Sequence, residues 1–67
     1  MTAPIDQRLL RLPEVMARTG LGSSSIYKLI NMKTFPRPVK VTEYASAWVE
    51  TEIADWIKAR ISERDAV

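Results

Sequence analysis

Cysteine and histidine are both absent from the 67-residue chain. Their absence excludes a disulfide framework, a thiolate zinc site and any imidazole acid–base or metal chemistry. Glycine occurs only twice, at Gly20 and Gly22, so no glycine-rich loop is present to cradle a phosphate. No apolar run approaches the roughly 18 residues of a membrane span. The opening residues, Met1-Thr2-Ala3-Pro4-Ile5-Asp6-Gln7, lack the basic start and apolar stretch of a signal peptide. A chain this short buries only about 60% of the surface that its unfolded form exposes, which leaves no room for a large substrate pocket. The composition thus reads as one small domain with no enzyme activity, no cofactor and no metal. It also reads as a soluble protein with no membrane partner, expected in the cytoplasm.

What the chain does have is a polarised charge. Residues 8–40 hold seven basic residues (Arg8, Arg11, Arg18, Lys28, Lys33, Arg37, Lys40) against Glu14 alone. Residues 41–67 hold Lys58, Arg60 and Arg64 against Glu43, Glu50, Glu52, Asp55, Glu63 and Asp65. The overall charge of +2 hides this division. A basic half is the electrostatic footprint of a nucleic-acid binder.

In chain order, residues 1–7 read as a flexible terminus and residues 8–64 as one folded domain. Arg8-Leu9-Leu10-Arg11-Leu12 offers either a short strand or an extended lead-in. Pro13 suits the first turn of a helix, with Glu14 at the positive end of its dipole. That helix should run from about Pro13 to Thr19, bury Val15, Met16 and Leu12, and end on Gly20 in the left-handed conformation. Leu21 then plugs the corner, and Gly22 or Ser23 caps a second helix. A connection this short is that of a helix-turn-helix unit.

In the second helix, Ile26, Leu29 and Ile30 fall on one stripe at about 100° per residue, leaving Ser24, Tyr27, Lys28 and Asn31 outside. This outer face carries hydroxyls, an amide and one cation but no acid. It can therefore hydrogen-bond phosphates and base edges without repelling them. The helix should end near Met32 or Lys33, because Phe35-Pro36-Arg37-Pro38 cannot continue it. Val39-Lys40-Val41 alternates as a strand, Thr42-Glu43-Tyr44-Ala45 forms a loop, and Ser46-Ala47-Trp48-Val49 returns. This is a small wing, whose valines and Trp48 would close the core while Lys40 and the loop tip face outward. In the last helix Ile53, Trp56, Ile57 and Ile61 form the apolar stripe, with Trp56 a core anchor and Asp55–Lys58 a surface pair. Glu50, Glu52 and Asp55 serve the dipole and solubility of this helix.

The fold class is therefore mainly α with a small β-hairpin, a winged helix-turn-helix. The candidate DNA-contacting residues are Ser23, Ser24, Ser25, Tyr27, Lys28, Asn31, Arg37, Lys40 and Tyr44. Three stretches, Arg8–Val15, Thr19-Gly20-Leu21 and Ser24–Ile30, followed by Phe35-Pro36-Arg37-Pro38-Val39-Lys40, Trp48, Glu52-Ile53 and Trp56-Ile57, resemble the AlpA family of phage and prophage regulators. The resemblance spans about residues 8–61. It implies a MerR-like, excisionase-like winged helix-turn-helix of bacterial or phage origin that binds double-stranded DNA and regulates genes of prophages or integrated elements.

Two stretches depart from the family pattern. Gly22-Ser23 stands where members often carry Ser and then a basic residue, which removes one contact. Thr42-Glu43-Tyr44 stands where the wing tip is often a Gly-Gly-Arg turn, which leaves the wing contact to Lys40 and Tyr44.

Three functions stay open at this level. A transcriptional regulator and an excisionase-like architectural factor for recombination use the same surface, with RNA polymerase or an integrase as the respective protein partner. A protein-interaction module would instead use the acidic C-terminal third. The free protein is expected to be mostly monomeric, with several copies assembling on DNA.

Overall fold

Residues 8–66 are described by the computed structural model, in the order β1 (Leu9–Leu10), α1 (Leu12–Thr19), α2 (Ser23–Asn31), β2 (Val39–Thr42), β3 (Ala45–Val49) and α3 (Glu50–Asp65). The expectation for residues 1–7 lies outside the described residues. The three strands form an antiparallel sheet in the order β1-β3-β2. Leu9 stands opposite Val49 and Leu10 opposite Trp48, so the lead-in is a strand and the wing is part of a three-stranded sheet. The helix-turn-helix together with this wing is a winged helix-turn-helix fold.

The turn between α1 and α2 is built from local chemistry. Arg11, in an extended conformation, caps α1 through its carbonyl, which accepts the N–H groups of Glu14 and Val15 at 3.0 and 3.1 Å. Gly20 ends the helix at φ +76, donating its N–H to the Met16 carbonyl at 2.8 Å. No heavy atom would crowd a Cβ there, so glycine is needed for its backbone freedom alone. The Thr19 hydroxyl donates to the Val15 carbonyl at 2.8 Å and accepts the Leu21 N–H at 3.3 Å, which fixes the corner. Gly22, rather than Ser23, is the N-cap of α2.

Leu10, Val15, Ile26, Phe35, Trp48 and Ile53 form the buried cluster, with Leu12, Met16, Leu21, Leu29, Ile30, Trp56 and Ile57 packed around it. Burying each aliphatic member contributes about 1.5–3 kcal/mol. Both tryptophans also act as donors. The Trp48 indole N–H donates to the Pro36 carbonyl at 3.1 Å, and the Trp56 indole N–H to the Thr34 carbonyl at 2.7 Å. Phe35 lies between these anchored carbonyls, its ring edge-on to Trp56 at 4.8 Å between centroids. The segment joining α2 to the wing is thereby stapled at alternate residues.

An ion-pair network ties the start of α3 to α1. The Arg18 guanidinium pairs with Glu50 at 2.8 Å and with Glu14 at 3.0 Å, while Arg8 approaches the same carboxylates at 3.7 and 3.5 Å. The Glu50 N–H donates to the Arg8 carbonyl at 2.7 Å and closes the arrangement. The hydrogen bond to Glu14 contributes most to raising the Arg18 pKa above its ordinary value. Burial opposes this, and Glu50 adds to it.

Three expectations are corrected. Val39 and Val41 do not close the core: both are exposed, because β2 is an edge strand whose register slips between Lys40 and Thr42, and β3 supplies the cover through Ala47 and Trp48. Ile61 is 46% exposed. The 16 residues of α3 span about 24 Å at 1.5 Å per residue, and its last turns run beyond the buried cluster. Trp56, the expected core anchor, is half-buried and packs against the buried cluster at its margin. The i, i+3 pair on α3 is Arg60–Glu63 at 2.7 Å, not Asp55–Lys58.

Candidate nucleic-acid interface

The outer face of α2 is presented by its apolar stripe. Ile26 is fully buried and Leu29 and Ile30 partly so, which turns Ser23, Ser24, Ser25, Tyr27, Lys28 and Asn31 to solvent. None of the six takes part in an ion pair among the described residues, and the first turn of α2 holds no acid. Gly22 supplies no side-chain acceptor to the first amides of the helix. Those amides, at the positive end of the dipole, are free to meet a phosphate oxygen. Tyr27 sits at the flank of this face rather than its centre. It is 45% exposed, and its ring meets that of Trp48 edge-on at 6.3 Å, so it buttresses the core as well as facing outward.

Arg37, Lys40 and Tyr44 form a second group on the stapled segment and the wing, and all three are exposed. Tyr44 is 92% exposed at the tip, beside Glu43 in a turn held by the Tyr44 N–H donating to the Thr42 hydroxyl at 3.1 Å. Arg37 borders an open cleft of about 420 Å³ with Pro36, Pro38, Val39 and Glu52. Glu52 thus lines the same cleft as Arg37 without forming an ion pair with it.

The basic half contains two kinds of cation. Arg8 and Arg18 are held by Glu14 and Glu50 and serve the fold, whereas Arg11, Lys28, Lys33, Arg37 and Lys40 have no carboxylate within ion-pair distance among the described residues. Glu14–Arg18 is a local i, i+4 pair within α1, but Glu50 reaches Arg18 and Arg8 only through the fold. Lys33 lies outside the candidate set. Its distinguishing feature is a positive φ of 61°, which leaves no local mark in Met32-Lys33-Thr34.

A helix-turn-helix with a sheet-borne wing, an acid-free outer face on its second helix and unpaired cations on the following segment defines a winged helix-turn-helix protein. Within that class, residues 8–61 match the model of the family described as Prophage CP4-57 regulatory protein (AlpA), and the chain belongs to this family. It is 41% identical over 59 residues to the "Uncharacterized protein ORF88" of Enterobacteria phage P4, a match covering 88% of this chain and 67% of that protein. It is 36% identical over 59 residues to the "DNA-binding transcriptional activator AlpA" of Escherichia coli (strain K12), covering 79% of this chain and 84% of that protein.

Proposed function

We propose that this protein is a sequence-specific DNA-binding transcriptional regulator of prophage or integrated-element genes, acting in the cytoplasm with α2 in the major groove. The observation that carries the reading is the exposed, acid-free and unpaired outer face of α2, mounted on a helix-turn-helix. The resemblance to a DNA-binding activator supports it further. In this reading the amides and hydroxyls of Ser23, Ser24 and Ser25 meet a phosphate or a base edge at the helix N-terminus. Lys28 takes a phosphate, and the Asn31 amide can pair with an adenine edge. Arg37 and Lys40 hold the flanking backbone, and Tyr44 reaches the duplex from the wing tip.

The test is to sequence the genomic fragments bound by the protein and by a Ser24→Ala, Ser25→Ala, Lys28→Ala triple variant. The triple variant should lose the bound sites while keeping its circular dichroism spectrum. Unchanged binding would sink the assignment of α2. Sites in promoters fit a regulator that works with RNA polymerase, whereas sites confined to an attachment region would make the protein an architectural partner of an integrase. No binding to any duplex at low salt would leave the protein-interaction alternative.

A further inference from the structure

The left-handed residue between α2 and the wing is a lysine, not a glycine. Met32 caps α2, the Lys33 N–H donates to the Ile30 carbonyl at 2.9 Å, and the Thr34 N–H donates to the Leu29 carbonyl at 3.0 Å. These two bonds are the paired closure of a Schellman motif, whose left-handed position glycine fills without strain. Here Lys33 fills it at φ 61°, the single non-glycine residue with positive φ among the described residues. A side chain bearing a Cβ is disfavoured in this region, and lysine lacks the short polar side chain with which asparagine compensates.

The strain is held by a rigid base. Thr34, next in the chain, is fixed on both sides: its hydroxyl donates to the Leu29 carbonyl at 3.2 Å, and its own carbonyl accepts the Trp56 indole N–H at 2.7 Å. Phe35 is buried beyond it, and the Pro36 carbonyl accepts the Trp48 indole N–H. Lys33 is exposed and has no ion-pair partner among the described residues. In chain order it lies between Lys28 on α2 and Arg37 and Lys40 beyond, at the joint where the helix gives way to the wing. Strained backbone conformations held in place by their surroundings cluster at functional sites.

We propose that Lys33 is a DNA-backbone contact, a cation held at the helix–wing joint to bind a phosphate diester of the duplex. The proposal rests on the DNA-binding reading above and adds to it a residue outside the recognition face. A phosphate contact is independent of sequence, so it is measurable on a duplex of arbitrary sequence. The experiment titrates the wild-type protein and its Lys33→Gly, Lys33→Gln and Lys33→Arg variants against a mixed-sequence duplex of about 30 base pairs, at several salt concentrations between about 50 and 200 mM. Thermal melts are recorded in parallel.

Lys33→Gly should melt higher than wild type, because the backbone strain is gone, and yet bind more weakly. Its log–log salt slope should be shallower by about 0.9, so that its deficit narrows about threefold over that fourfold rise in salt. Lys33→Gln should show the same loss of slope without the gain in melting temperature, and Lys33→Arg should keep the wild-type slope. A Lys33→Gly protein that melts higher and binds with the wild-type slope would overturn the contact while leaving the DNA-binding reading intact. Wild-type protein that binds no duplex even at 50 mM salt would overturn both.

Discussion

Replacing Trp48 by alanine should leave the chain partly or wholly unfolded at room temperature. Trp48 is 0% exposed, pairs with Leu10 across the sheet, and meets Tyr27 edge-on. Truncating a buried tryptophan costs about 3–5 kcal/mol through lost transfer energy and the remaining cavity. The Pro36 carbonyl also loses its indole donor, adding about 1 kcal/mol or more. At about 0.05–0.15 kcal/mol per residue, a chain this size holds only roughly 3–10 kcal/mol in total. Trp48→Phe separates the two contributions. It keeps most of the ring but no donor, so it should stay folded with a loss of about 1–3 kcal/mol, or a melting point lower by roughly 5–20 °C. Far-ultraviolet circular dichroism follows folding, and fluorescence of the remaining Trp56 gives a second probe. A Trp48→Ala protein that melts cooperatively within a few degrees of wild type would refute the reasoning, because it would mean that the sheet is not the platform on which the helices pack.

Other substitutions test separate parts of the structure. Ile61→Gln should change stability by no more than about 0.5 kcal/mol, since Ile61 is 46% exposed; a larger loss in urea unfolding would return it to the core. Glu43→Arg should tighten DNA binding at low salt and steepen the salt dependence if the wing tip approaches the duplex, and equal affinities at two salt concentrations would place the tip away from it. Glu50→Gln should lower the melting temperature at low salt by loosening Arg18 and Arg8, an effect that shrinks in about 1 M salt as screening removes it; a salt-independent loss would mean that the network does not act through charge. The free protein should sediment as a monomer and bind natural sites in several copies, because single modules bury only about 600–1,000 Å² on DNA. A stable free dimer, or tight specific binding of one copy to an isolated half-site, would contradict this.

What was legible in the sequence follows the range of the interactions that decide each feature. The turn between α1 and α2 is local chemistry, and Gly20 announced it. The stripe of Ile26, Leu29 and Ile30 has a helical period, so the exposed face of α2 could be named residue by residue. Phe35 stands alone between Thr34 and Pro36 with no period around it, and it becomes a core residue only through elements distant in the chain, Trp48, Ile53 and Trp56 among them. Alternation in Val39-Lys40-Val41 marks two faces of a strand but not whether either is covered, which depends on strand order and on the register slip. The period of α3 likewise identifies the side that carries Ile61 but not how far the neighbouring elements extend. Arg8 and Arg18 counted as part of a basic surface until the fold brought Glu50 to them.

The two tryptophans explain how so small a core can set the geometry of a surface site. Each belongs to the core or its margin, and each also donates to a backbone carbonyl of the segment between α2 and β2. The segment has no regular ladder of its own, so these two bonds, together with the buried Phe35 ring, hold it in place. Lys33 precedes the stapled carbonyls and Arg37 follows them. The relation between the helix face and the wing is therefore a property of core packing rather than of a flexible linker. If the candidate residues on α2 and the wing meet one duplex, substitutions at Trp48 or Trp56 that leave the circular dichroism spectrum intact should still weaken binding in a duplex titration. Unchanged affinity would show that the stapled segment does not set their relation.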